Sequence, residues 1–181
     1  KNDLAKETFK KNILIWHEEY LKNGLDAIIS NTSGCGTTLK DYGFIFRWDD
    51  DLKKKAKKIS ELTKDISEYL EENVKLNFIK NKENLKSYKI AYHSACSMQH
   101  GQKIHNIPMD LIKKTGNKVL DIPQGHFCCG SAGTYNLLQN DIAKKLLKNK
   151  ILNINKINPQ FIATGNIGCI TQIANGTKIP I

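Results

Sequence analysis

The stretch KVLDIPQGHFCCGSAG, residues 118–133, joins a short apolar run to a turn rich in cysteine and glycine. The run at its start has the length and composition of a buried strand, and Pro123 ends it. Two adjacent thiols, Cys128 and Cys129, follow in the loop beyond. A loop of this kind after a strand is a position where ligands gather in α/β proteins.

Two further segments have the same form. An apolar run at 88–93 precedes Cys96, and another at 161–164 precedes Cys169. A helix is predicted between each run and the next, from apolar residues at helical spacing and from capping residues. These helices are expected at 108–115 and, longer, at 141–155. Strands that alternate with helices predict an α/β fold in which a mainly parallel sheet is flanked by helices.

The four cysteines of these loops are therefore expected to meet. The carboxyl ends of parallel strands share one edge of a sheet, and helix N-termini beyond them favour the thiolate that binds metal. Four thiolates match the demand of a [4Fe–4S] cluster, whereas adjacent cysteines fit a single zinc tetrahedron awkwardly. Zinc, or buried thiols without metal, remain open alternatives. The predicted ligands are Cys96, Cys128, Cys129 and Cys169.

The first part of the chain contains a fifth cysteine in a related setting. Apolar residues at helical spacing predict an opening helix that ends near Gly24. A strand is predicted at 27–29, followed by a small-residue turn with Cys35. A single long helix is predicted from Asp50 to Leu70.

A weak internal repeat links the two parts. Superimposing Cys169 on Cys35 also aligns Gly168 with Gly34 and Ile162 with Ile28. We therefore expect two similar lobes, the first truncated, with a boundary in the polar segment 77–87. Residues 1–80 would form the end of the first lobe with a connecting helix, and residues 81–181 the second lobe.

Composition narrows the function classes. The 181 residues include 28 Lys and Arg against 18 Asp and Glu, a net charge of +10. Arg47 is the single arginine, and arginine is the residue that best binds phosphate or guanine through two hydrogen bonds at once. We therefore expect no nucleic-acid partner. No apolar run has membrane-spanning length. An odd count of 5 cysteines favours a reducing, cytoplasmic compartment, while the basic charge leaves association with an anionic membrane surface open.

These cysteine segments resemble a known family. The order of Cys96, the Cys128-Cys129-Gly130 triplet and Cys169 is similar to the cysteine-rich CCG domain of heterodisulfide reductases. The closer likeness is to the C-terminal half of glycolate oxidase iron–sulfur subunits. It rests on four segments: SGCGTTLKDYG (33–43), YHSACSMQHGQ (92–102), CCGSAGTY (128–135) and TGNIGC (164–169).

The resemblance implies a duplicated CCG domain in an electron-transfer subunit. Such a subunit passes electrons from a FAD-binding partner, which oxidises glycolate to glyoxylate, toward a membrane acceptor. The family pattern closes with CxxC, but Gln172 and Thr38 stand at the corresponding positions here. A five-thiol noncubane site is therefore disfavoured, and Cys35 would be a ligand of the truncated first domain.

Some residues beside the cysteines are expected to support the metal without binding it. These are His93, His100, Gly130 and Gly168. Two other function classes stay open. One is a heterodisulfide-reductase-like or lactate-utilisation subunit that acts at its own cluster, favoured by a cavity lined with His100 and Gly133. The other is a zinc-stabilised scaffold subunit.

Overall fold

A computed structural model of the chain describes residues 2–74 and 86–181. The chain divides into two compact units, Lys1–Glu72 and Asn73–Ile181. The predicted boundary at 77–87 lies outside the described residues except at its last two positions. Each unit has its own sheet and hydrophobic core.

The first unit packs helices around a short parallel pair of strands. Helix α1 ends before Gly24, whose φ of +75° is the left-handed conformation typical of a helix C-terminus. Strand β1 pairs in parallel with β2, Ile28 opposite Thr63. The elements are α1 (Asn2–Asn23), β1 (Ile28–Ser30), α2 (Ser33–Lys40), α3 (Tyr42–Ile45), α4 (Lys53–Leu62), β2 (Thr63–Asp65) and α5 (Ile66–Asn73).

The prediction of one long helix from Asp50 to Leu70 is wrong. Helix α4 ends at Leu62, strand β2 follows, and α5 begins at Ile66. Thr63 and Asp65 are buried at 3% and 2% exposure, because β2 pairs with β1 inside the unit. Tertiary pairing with β1 therefore overrides the helical periodicity of this segment.

The second unit has a three-stranded parallel sheet in the order β4-β3-β5. The predicted strands and the two predicted helices are confirmed, with ends that differ by one or two residues. The elements are β3 (Lys89–Tyr92), a short π-helical turn (Ser97–Gly101), α6 (Ile107–Lys114), β4 (Lys118–Asp121), α7 (Tyr135–Leu138), α8 (Asn140–Lys156), β5 (Phe161–Ala163) and α9 (Ile167–Ala174).

The α/β class with helix-flanked parallel sheets is thus confirmed. The two cysteine helices match locally, since Cys35 and Cys169 are each the third residue of an eight-residue helix that follows a strand. Duplication of whole lobes is not established, because the described sheets have two and three strands.

The core of the second unit includes two of the cysteines. Cys129 and Cys169 are 1% and 7% exposed and pack with apolar side chains from the strands and from α8 and α9. No helix within residues 2–74 and 86–181 has both the length and the apolar character needed to cross a bilayer.

Candidate metal centre

Three strand ends deliver the thiols of the second unit to one place. Cys96 follows β3 directly before the π-helical turn, and Cys169 lies in the first turn of α9 beyond β5. Cys128 and Cys129 stand in the loop between β4 and α7. Because all three strands run parallel, their carboxyl ends share one sheet edge, as the sequence predicts.

The four sulfur atoms form a continuous series of contacts. Side-chain interactions couple the ionisation of Cys96 to that of Cys128, of Cys128 to that of Cys129, and of Cys129 to that of Cys169. The sulfurs of Cys129 and Cys169 lie within 4.8 Å of each other. Three distant segments of the chain therefore place their thiols within reach of a common centre. Packing as separate small hydrophobes would not require such contacts.

The buried His93 side chain lies next to the two most buried thiols of this cluster. Donor atoms of His93, Cys129 and Cys169 all lie within 4.8 Å of one another. The imidazole is 0% exposed, and among the described residues neither ring nitrogen makes a hydrogen bond of good geometry. A buried imidazole without partners is costly, so this orphaned ring fits a site that receives a metal or an inorganic cluster.

Backbone amides around the thiols would stabilise negative charge on sulfur. The Gly130 amide donates to Cys128 Sγ at 3.2 Å, and the Ser131 amide donates to Cys129. Gly130 has a φ of +95°, and a Cβ there would lie 2.5 Å from the carbonyl oxygen of Ala143. Only glycine lets the loop turn this tightly against α8.

The Asn166 side chain fixes the helix that carries Cys169. Its Oδ1 accepts hydrogen bonds from the amides of Gly168 at 2.9 Å and Cys169 at 3.3 Å. A Cβ on Gly168 would lie 2.7 Å from Ser131 Oγ, so a small residue is needed where α9 meets the thiol loop. The predicted supporting positions Gly130 and Gly168 therefore both lie at close contacts beside ligand candidates.

The thiols differ in their tendency to ionise. Hydrogen bonds from Cys129 and Cys96 hold the pKa of Cys128 far below its usual value. A hydrogen bond from Cys129, aided by the nearby His93, lowers the pKa of Cys169 to about 5. Hydrogen bonding to the Cys128 thiolate raises the pKa of both Cys96 and Cys129. Two thiolates beside two thiols give a nucleophilic, metal-binding donor set at neutral pH.

Two predicted residues lie apart from this cluster. Cys35 is exposed on α2 of the first unit. His100 is exposed in the π-helical turn, and the sulfur contacts among the described residues do not include it. Their roles as ligand and supporting residue stay predictions.

Two further buried residues lie beside the site, and only the first of them is marked by the sequence pattern. Gln172, at the position of the missing CxxC cysteine, is buried, and its Nε2 lies 3.1 Å from where a Gly130 Cβ would be. Lys150 of α8 is 2% exposed and donates to the carbonyl oxygen of Gly125 at 3.0 Å. In a lysine-rich helix, the sequence gives no sign that one lysine points inward.

A cleft of about 220 Å³ opens near the carboxyl ends of β3 and β4. Polar groups line it, among them Ser94, His105 and His126. Its lining includes neither His100 nor Gly133, the residues expected beside a substrate-binding cavity.

Known proteins that are similar to this chain include a cysteine-rich domain family and subunits named for iron and sulfur. Residues 90–174 match the model of the cysteine-rich domain CCG. The glycolate oxidase iron-sulfur subunit of Escherichia coli (strain K12) is 35% identical over 95% of this chain and 41% of its own length. A probable glycolate oxidase iron-sulfur subunit of Bacillus subtilis (strain 168) is 28% identical over 96% of this chain and 38% of its own length.

A second group of relatives carries another name. Lactate utilization protein A of Geobacillus sp. (strain WCH70) is 24% identical over 96% of this chain and 70% of its own length. The chain thus spans less than half the length of the two glycolate oxidase subunits and a larger share of this shorter protein.

Proposed function

Because residues 90–174 match the cysteine-rich CCG domain, we propose that this chain is an iron–sulfur electron-transfer part of an oxidoreductase that acts on a 2-hydroxy acid. One observation carries the proposal. The thiols of Cys129 and Cys169, which follow β4 and β5, lie within 4.8 Å of the buried imidazole of His93, which follows β3. The nitrogens of that ring lack hydrogen bonds of good geometry among the described residues. A set of donors of this kind is suited to holding an inorganic centre rather than to packing a core.

The proposed ligands of a [4Fe–4S] cluster are Cys96, Cys128, Cys129 and Cys169. When bound, such a cluster accepts and releases single electrons. The chain's own residues would set how easily this happens. Amides of Gly130 and Ser131 donate to ligand sulfur, and burial of Cys129 and Cys169 excludes water.

The proposed substrate rests on the name of the relatives, and the FAD-binding partner and the membrane acceptor are part of the same proposal. Glycolate is the proposed hydroxy acid, oxidised to glyoxylate on a FAD-binding partner that takes two electrons from it. Electrons would then pass singly through this chain toward a membrane acceptor. We propose a cytoplasmic location, peripheral at the inner face of the membrane, where the +10 charge would favour an anionic surface.

The direct test is metal analysis of the chain purified without oxygen. We expect iron and acid-labile sulfide in equal amounts, close to four of each per chain as a [4Fe–4S] centre requires, and an EPR signal after reduction by dithionite. Stoichiometric zinc without sulfide would contradict the proposal.

Ligand identity is tested by single substitutions. Cys128→Ser and Cys169→Ser should each lower the iron content, because each removes one sulfur of the connected series. Cys35→Ser is the matched control for this site: Cys35 is exposed in the first unit, where its predicted ligand role belongs, so its substitution should leave the iron bound by the second unit unchanged. Iron content that stays unchanged in both site variants would remove these residues from the ligand set.

A zinc-stabilised scaffold is the second candidate, and the trio of His93, Cys129 and Cys169 favours it. One nitrogen and two sulfur donors within 4.8 Å resemble part of a tetrahedral zinc shell. The metal analysis separates the two candidates, because zinc is colourless, redox-inactive and needs no sulfide.

A further inference from the structure

Lys150 is a buried cation at the back of the thiol loop. It is 2% exposed, whereas Lys145 and Lys148 of the same helix point to solvent. Burial lowers the pKa of its ammonium group, and nearby thiol charges oppose that effect. Burying an ammonium group costs free energy unless an anion or several acceptors compensate it.

The Lys150 side chain is fixed to the segment that leads into Cys128. Its Nζ donates to the carbonyl oxygen of Gly125 at 3.0 Å. One turn further along α8, Asn153 donates to Gln124 Oε1 at 3.3 Å. Helix α8 therefore holds the start of the thiol loop by side-chain hydrogen bonds and contacts its end where Ala143 meets Gly130.

The thiols are the partners that could balance the charge of Lys150. Among the described residues, no carboxylate forms an ion pair with its Nζ. Its Nζ lies 3.0 Å from the carbonyl oxygen of Gly125, three residues before Cys128, and the charges of the four thiols oppose the effect of burial on its pKa. In a poorly solvated interior such charge interactions are screened little.

We infer that Lys150 is a positioning residue of the metal centre: it anchors the Cys128–Cys129 loop and places a positive charge that makes a bound cluster easier to reduce. The inference rests on the proposed function, because it concerns the potential of an iron–sulfur cluster held by these thiols. Reduction adds negative charge to the centre, so a fixed cation nearby stabilises the reduced form and raises the reduction potential.

The test compares the intact wild-type chain with Lys150→Met, which keeps an unbranched side chain one atom shorter than lysine and removes the charge. Lys145→Met is the matched control, since it removes an exposed charge from the same helix. Iron per chain and the midpoint potential, from an EPR-monitored redox titration, are the two readouts. We expect Lys150→Met to bind iron with a midpoint potential more negative than wild type, and Lys145→Met to match wild type.

A third variant separates anchoring from charge. Lys150→Gln keeps a donor for the Gly125 carbonyl and lacks the charge, so its potential should also fall. Iron-loaded neutral variants with the wild-type potential would overturn the inference while leaving the proposed function intact. A wild-type chain without iron would count against both.

Folding failure is also informative. If circular dichroism shows that Lys150→Met and Lys150→Gln do not fold, Lys150→Arg provides the test, because it retains the positive charge. Iron binding with a potential near wild type in Lys150→Arg supports the inference. Failure of all three variants to fold contradicts it, since the lysine would then serve helix packing alone.

Discussion

Gly130 is the residue at which the thiol loop turns back against α8. Its positive φ disfavours any L side chain, and its amide donates to Cys128 Sγ. The nearby Gly133 also has a positive φ, but a Cβ there would meet no atom within 4 Å. A substitution at Gly133 would therefore introduce backbone strain alone, whereas one at Gly130 would introduce both backbone strain and a steric clash.

We predict that Gly130→Ala destabilises the chain more than Gly133→Ala. The left-handed conformation alone should cost about 1–2 kcal/mol in either variant. In Gly130→Ala the contact with the Ala143 carbonyl adds overpacking worth about 1–3 kcal/mol and displaces the cysteine loop. Urea denaturation and iron content measure the two effects, and equal losses in both variants would refute the steric argument.

Single residues also show how far the sequence predicts the site. The cysteines could be identified because the sequence pattern predicts the strand ends and the residue type itself gives the thiol chemistry. His93 was expected beside the ligands, yet its complete burial within 4.8 Å of two thiols depends on packing. Lys150 could not be identified, because one buried lysine in a lysine-rich helix has the same local pattern as its exposed neighbours.

At the level of elements, the segment from α4 to α5 shows where periodicity fails. A continuous helical pattern hides strand β2, since pairing with β1 is a contact between residues distant in sequence. A local signal was nevertheless present at Asp65 and Glu68, spaced as in a capping box. Asp65 Oδ1 accepts from the Ser67 amide at 2.9 Å, and Glu68 Oε2 accepts from the Asp65 amide at 2.8 Å.

We predict that Asp65→Ala destabilises the first unit by about 1–2 kcal/mol, because it removes the N-terminal cap of α5. The carboxylate also accepts from Ser67 Oγ at 2.5 Å inside the unit, so the loss should lie at the upper end. Denaturant titration by circular dichroism measures it. Asp50→Ala is the control, since Asp50 is in an exposed ion pair with Lys53 and should change stability little. Equal stability of the two variants would contradict the capping argument.

For the whole molecule, the division into two units bears on where the metal is bound. The four clustered thiols all lie in the second unit, and Cys35 lies alone among the described cysteines of the first. We propose that residues 81–181 belong to the second CCG domain and that residues 1–80 are the C-terminal part of the first one with a connecting helix. The local match between the Cys35 and Cys169 helices supports this interpretation.

We predict that residues 81–181, expressed alone without oxygen, bind as much iron per chain as the full sequence. The reason is that every proposed ligand, together with His93 and Lys150, comes from this part. Residues 1–80 expressed alone are the control and should bind none. A shorter chain that folds by circular dichroism yet binds no iron would show that the first part contributes to the site.

The most direct measurement is X-ray anomalous diffraction at the iron edge from crystals of the anaerobically purified chain. We predict iron density in the second unit, bounded by the sulfurs of Cys96, Cys128, Cys129 and Cys169 and next to the His93 ring. Density at the zinc edge alone, or no metal peak between these four sulfurs, would contradict an iron–sulfur centre at this sheet edge.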